Sequence, residues 1–315
     1  MKNKVKYRIY IITALLILEA CISTLVCQVQ EKAPAPKTYT VGLLRNIFVD
    51  VDINDAQAAV KLWFTEIVKT FKYNDEYRLK ALIYNDFSNL DNEIKNDSLA
   101  VLGINTIDYF TYANKFDLEP VFVPSLNGEV GNEYYILIRK DRKFQNIKDL
   151  KGTSIGVLSS RSQIASSLWL DVILAQNKLP GREKFFNKVT ATEKESQLIL
   201  NLFFGQLDAC IVTKNSYLLM KELNPQIGEK LTYMLKSPKY VWAILCYTKT
   251  FKDTKDRKKF YTSALNVQEL ISGKQLLTLL KIEKLVPCQN EYLNNYKTLL
   301  KDYNNLLGKK IIVSK

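Results

Sequence analysis

Short apolar runs alternate with amphipathic helical stretches along most of this 315-residue chain, and that alternation limits the fold more than any single motif. From residue 38 the runs TYTVGLL, RLKALIY, SLAVLGI and EPVFVPS are separated by helical patterns over 56–70, 88–95 and 106–114. Strands spaced by helices call for a largely parallel sheet covered on its faces, an α/β protein whose ligands gather at the carboxyl ends of the strands. A second set begins at Glu133: YYILIRK, a helical turn near 146–150, SIGVLSS, helix 162–177, KVTAT, helix 194–204, LDACIVT, helix 215–223 and KLTYMLKS. The restart puts a lobe boundary near 125–131. The strand YVWAILCYTK then leads to helices at 253–272, 273–281 and 290–306, which bring no new strand set and are expected to cover the first lobe. The expected division is therefore 39–126 plus 245–315 for one lobe and 127–244 for the other. The cleft between two such lobes is the usual place for a small-molecule site.

The first 27 residues read as an export signal. Lys2, Lys4, Lys6 and Arg8 precede an apolar run over 9–18, and small residues follow it. Leu18 and Ala20 ahead of Cys21 fit a bacterial lipoprotein signal and make Cys21 the candidate lipidation site, with Glu19 a departure from that motif. An uncleaved anchor over 9–27 is the alternative, at the cost of Glu19 inside a bilayer. Either reading places the folded part in the periplasm or otherwise outside the cytoplasm, tethered through residues 28–38, whose A-P-A-P core is a semi-stiff spacer.

Composition removes several functions. The formal charge of +13 falls to +10 without residues 1–27, so a basic surface remains that would attract anions. The densest lysine groups, 255–259 and 309–310, lack the interleaved aromatics of a nucleic-acid platform and read as solvated faces, so no nucleic-acid partner is expected. There is no histidine, which takes away the commonest general base, the serine triad and the commonest zinc ligand together. The acidic loop 50–55 resembles a calcium loop but has Asp55 where glycine is required and Lys61 where the bidentate glutamate belongs. Asn54 or Asp55 is expected to cap the following helix instead. Beyond the signal, Cys210, Cys246 and Cys288 form no C-x-x-C pair; Cys210 and Cys246 sit in apolar runs as buried thiols, and a disulfide stays open without a fixed pairing. No cofactor or metal is expected, and no catalytic role.

The stretch 146–179 is the best ligand-binding candidate from its residues alone. A charged turn precedes the apolar run Ile155, Val157, Leu158; Ser159, Ser160, Arg161 and Ser162 follow, and a helical pattern comes next. The first amides of a helix lack intrahelical partners and sit at the positive end of its dipole, where polar or anionic groups bind. The plainer reading is that Ser160 or Ser162 caps its own helix.

The segments D-L-K-G at 149–152, G-x-L-D-A at 205–209 and V-P-x-x-x-x-Y at 286–292 occur together and in order. With them the chain resembles, over roughly 38–306, the substrate-binding proteins of phosphate, phosphite and phosphonate ABC transporters. The resemblance implies a two-lobed type 2 periplasmic binding fold and a monomer that closes on a small polar or anionic solute and delivers it to an inner-membrane ABC permease. A sensing module for a membrane receptor or kinase is the alternative, and a lyase acting on a small acid, with Glu195, Asp108 and Asp208 as its acid and base groups, is a remoter one. Carried over residue by residue, the family's P-G-S-T-S-G-like turn falls on Ser160, Arg161, Ser162, Gln163, Ile164 and Ala165, with one serine kept. Glu195 stands where the family often has histidine, and its acidic partners fall near Asn215 and Trp242. Asn105, Thr106 and Tyr109 lie at a strand-to-helix turn in the first lobe. Arg45, with Asn46 beside it, and Arg161 are candidates to clamp one anionic group. The expected ligand set is thus Arg45, Asn46, Asn105, Thr106, Tyr109, Ser159, Ser160, Arg161, Ser162, Gln163, Glu195, Asn215 and Trp242. Asp208 is expected to fix the turn before its strand.

Overall fold

The computed structural model describes residues 36–70, 77–87, 90–95 and 98–308; the signal, Cys21 and most of the spacer lie outside the described residues. Strand β1 (Lys37–Leu44) leads to helix α1 (Ile53–Thr70), followed by β2 (Tyr77–Tyr84), α2 (Leu90–Lys95), β3 (Leu99–Asn105), α3 (Thr106–Phe116), β4 (Glu119–Leu126) and the short β5 (Glu129–Val130). β3 runs parallel to β1 at the centre of the first sheet and is buried throughout, which accounts for its unbroken apolar reading LAVLGI. Helix α1 buries Ala56, Ala59, Val60, Trp63 and Ile67, one stripe at helical spacing. It starts one turn earlier than expected: the Asp52 carboxylate, not Asn54 or Asp55, accepts the free Asn54 amide at 2.8 Å.

The second sheet is made by β6 (Asn132–Arg139), β7 (Ser154–Leu158), helix α4 (Ile164–Gln176), α5 (Arg182–Phe185), β8 (Lys188–Thr192), α6 (Glu195–Phe203), β9 (Ala209–Thr213), α7 (Lys214–Leu223), α8 (Pro225–Lys230) and β10 (Leu231–Tyr240), with strand order β10-β6-β9-β7-β8. β7 is parallel to both β8 and β9, whereas β6 is antiparallel to β9 and β10. The chain then returns through β11 (Ala243–Tyr247), α9 (Thr254–Leu265), α10 (Ile271–Leu279) and β12 (Lys284–Pro287) to complete a first sheet ordered β12-β4-β11-β3-β1-β2, with β5 on β4. The returning strand β11 is antiparallel to both β3 and β4, so each sheet is mixed where a largely parallel one was expected.

Two crossings between the sheets lie side by side. At the first, Gly131 has φ +85° and its missing side chain leaves room for the Tyr240 backbone, 3.0 Å from where a Cβ would stand, so only glycine suits both the conformation and the contact. The second runs from Tyr240 to Ala243. A third crossing was not expected. β12 adds a strand to the first sheet, and the helix after it, α11 (Asn294–Leu307), packs on α4 of the second sheet instead of covering the first lobe. The cause lies in α4, whose sequence IASSLWLDVILAQ buries residues all round its circumference and so needs a cover on the side away from its sheet. The Tyr296 ring of α11 meets Tyr240 at 5.9 Å and Phe110 of α3 at 5.8 Å, so a single apolar core continues from one lobe into the other. Cys210, Cys246 and Cys288 are free thiols, the first in the second sheet and the second in the first.

Candidate functional site

The carboxyl ends of β3 and β7 face each other across the two lobes. At the end of β3, Asn105 caps α3: its side-chain oxygen accepts the Asp108 amide at 2.9 Å and its Nδ2 donates to Asp108 Oδ2 at 2.7 Å. Asn46, in the turn after β1, donates to the same oxygen at 3.1 Å. The other oxygen, Oδ1, takes Arg161 from the second lobe, through Nε at 2.7 Å and through the adjacent guanidinium nitrogen. Asp108 is 1% exposed and its carboxylate accepts four donors in the first turn of α3. Its pairing raises the pKa of the Arg161 guanidinium above the ordinary arginine value.

A second chain of bonds joins the ends of β7 and β9. Ser160 Oγ donates to Gln163 Oε1 at 2.6 Å, and Gln163 Nε2 donates to Glu195 Oε1 at 2.7 Å. Glu195 Oε2 accepts both the amide and the hydroxyl of Thr213 at 2.7 Å. The serines do not cap: Ser160 spends its hydroxyl on Gln163, and neither the turn Arg161–Gln163 nor α4 has a side-chain cap bond. Next in sequence to these bonded groups or on the same side chain, Asn46 Oδ1, Thr106 Oγ1 and Ser162 Oγ are buried without a hydrogen-bond partner. Each such group costs about 1–3 kcal/mol until something supplies the missing bond.

Of the expected ligand set, Asn46, Asn105, Thr106, Arg161, Ser162, Gln163 and Glu195 meet at this junction, with Ser160 behind them. Asn215 is half-buried in the first turn of α7, two residues beyond Thr213. Tyr109 is half-buried on α3 against Phe110, and burial, helped by the nearby Cys246 and Cys288 thiols, pushes its hydroxyl up to about 12. Three residues stand elsewhere. Arg45 donates to the carbonyls of Phe48 and Val51 in its own loop, so it forms no clamp with Arg161. Ser159 is exposed, its amide tied to the Thr192 carbonyl. The Trp242 ring packs among the apolar side chains of the first lobe, and only its carbonyl reaches toward the site, accepting the Thr106 amide at 3.0 Å. Asp208 holds the Ser154 amide and hydroxyl and pairs with Arg142, the turn-fixing role expected of it. Two central residues were absent from the expected ligand set: Asp108, visible as the acid three residues after a capping Asn, and Thr213, which carries no signal beyond ending a strand.

A search of curated proteins by sequence returns no match. The family described as the periplasmic substrate-binding protein of a phosphonate ABC transporter matches residues 54–293. The chain belongs to that family. Among solved structures, a Xanthomonas citri protein with bound chloride is similar with a TM-score of 0.62 at 10% identity, over 85% of this chain and 99% of that one. A binding protein component of an ABC phosphonate transporter from Pseudomonas aeruginosa gives 0.57 at 14% identity over 89% and 91% of the two chains. PhnD1 from Prochlorococcus marinus, solved in complex with methylphosphonate, gives 0.56 at 15% identity over 85% and 99%. At these identities the likeness shows the fold, which is that of a two-lobed periplasmic binding protein. As a member of the family this substrate-binding protein takes a small solute outside the cytoplasm and works with an ABC permease.

Proposed function

We propose that this substrate-binding protein holds its solute between Asn46, Asn105, Thr106 and Asp108 on one lobe and Arg161, Ser162, Gln163 and Glu195 on the other, and that the solute is an amine-bearing zwitterion such as an aminoalkylphosphonate. The observation that carries the reading is the engagement of Arg161 by the buried Asp108 carboxylate. Among the hydrogen-bonded groups of the junction, two carboxylates face one guanidinium that is already paired. A phosphonate without a balancing positive charge would bring further negative charge against Asp108 and Glu195 at short range, where such repulsion is strong. An ammonium group on the same molecule turns Glu195 into a partner. The unpartnered Thr106 and Ser162 hydroxyls are suited to donate to the phosphonate oxygens. In this proposal the protein acts as a monomer, anchored through a lipid on Cys21.

Thermal unfolding of the full-length chain with increasing ligand tests the solute. An aminoalkylphosphonate should raise the melting temperature in step with saturation, and methylphosphonate should leave it unchanged. Glu195→Gln should weaken the aminoalkylphosphonate by about tenfold, the loss of one charge-assisted contact of about 1.4 kcal/mol. Stronger stabilisation by methylphosphonate than by the amine-bearing compound would overturn the assignment.

A further inference from the structure

A cavity of about 120 Å³ lies in the first lobe, between the first sheet and helices α1, α9 and α10. Alternate residues of a strand share a face, and odd-numbered ones lead one wall, Val41 and Leu43 of β1, Val101 of β3 and Leu245 of β11, joined by Ala100, Ile104 and Ile244. The opposite wall is helical, with Trp63 and Ile67 of α1, Phe260 of α9 and Leu276 of α10. Protein interiors are packed closely enough that voids much larger than a water molecule are few. The buried apolar side chains around it fall into two clusters, one with Leu43, Trp63 and Leu276 and the other with Val41, Val101 and Phe251, bridged by the partly buried Phe64 and Leu245, and the cavity takes its lining from both. At one end, buried Asp256 accepts the hydroxyls of Tyr39 at 2.7 Å and Tyr77 at 2.6 Å, so the charged group on the wall is already engaged. Beyond these, the lining residues with polar side-chain atoms are Ser263, whose hydroxyl donates to the Lys259 carbonyl at 3.0 Å, the half-buried Trp242, and Trp63, whose buried indole N–H has no partner among the described residues. One buried free donor is short of the two to four polar partners that hold a buried water, and apolar cavities of about 150 Å³ stay dry and take up benzene.

We propose that this cavity is a second binding site, for a compact uncharged apolar molecule of about the size of one aromatic ring. It is separate from the junction of the lobes: none of Asn46, Asn105, Thr106, Asp108, Arg161, Ser162, Gln163 and Glu195 lines it. Toluene is the probe. In the full-length chain it should raise the melting temperature in proportion to saturation and shift the methyl resonances of Val41, Leu43 and Leu276. Ala264→Leu, which extends a side chain from α9 into the cavity, should abolish the toluene effect. The proposal is overturned if toluene causes neither the temperature rise nor those shifts, or if the rise persists undiminished in Ala264→Leu. Should that variant fail to fold, the resonances of the unaltered chain decide: shifts at Val41, Leu43 and Leu276 support the site, and shifts confined to other residues overturn it.

Discussion

Asp208 illustrates how a single side chain sets a local condition for folding. Partial burial works against its charge, but the Ser154 amide and hydroxyl and the Arg142 and Arg139 guanidinium groups outweigh that and hold its pKa below the ordinary aspartate value. A carboxylate depressed in this way stabilises the fold above its unfolded pKa of about 3.9 and loses that contribution as pH falls through the folded value. The urea midpoint of Asp208→Asn should therefore lie furthest below that of the parent at pH above about 5, and the gap should close only as pH falls below about 4 and on through the folded value, approaching zero near about pH 2. An offset that stays constant across that range would contradict the assignment. At this same scale much of the lobe junction was legible. Asn105 ends β3, and Arg161 and Gln163 come in the turn after β7, at the carboxyl ends where α/β sheets gather ligands. Arg45 and Trp242 were misleading because an arginine after a strand and an aromatic at a crossing say nothing about which way they point. For Asp108 it was the partner that sequence did not disclose, since Arg161 is 53 residues away.

At the scale of elements, the placement of Arg161 depends on how tightly β7 meets its neighbours. Gly156 stands in the middle of that strand, and a Cβ there would come within 2.6 Å of Leu198 on α6 and 2.8 Å of Leu207. Both are fully or nearly fully buried, so neither has room to withdraw. Gly156→Ala should cost about 1–3 kcal/mol of stability, measured by urea unfolding, and an unchanged midpoint would mean that the α6 contact is looser than described. The elements themselves were mostly legible, because helical and strand periods are written in residues close together. β12 was missed: four residues, KLVP, are too few to establish a period, and only pairing with β4 defines the strand. The position of α11 was missed for a related reason, since its amphipathic face shows that it covers something but not which lobe.

For the whole molecule, the junction is held by an ion pair of limited strength. Asp108 is buried but the Arg161 side chain is 47% exposed, and a half-solvated pair of this kind contributes about 1 kcal/mol or less. That is weak enough for the lobes to part and admit a solute. Arg161→Ala should shift the unliganded protein toward a more extended state, read as a larger radius of gyration by solution scattering; a radius equal to that of the parent would show that the bridge does not restrain opening. Any such hinge must also bend at the third crossing, where the chain leaves β12 for α11, and Cys288 lies at its start. Burial raises the pKa of this thiol, yet it is half-exposed, whereas Cys210 and Cys246 are fully enclosed. A fluorophore attached there would sit on the moving joint itself and convert solute capture into an optical signal.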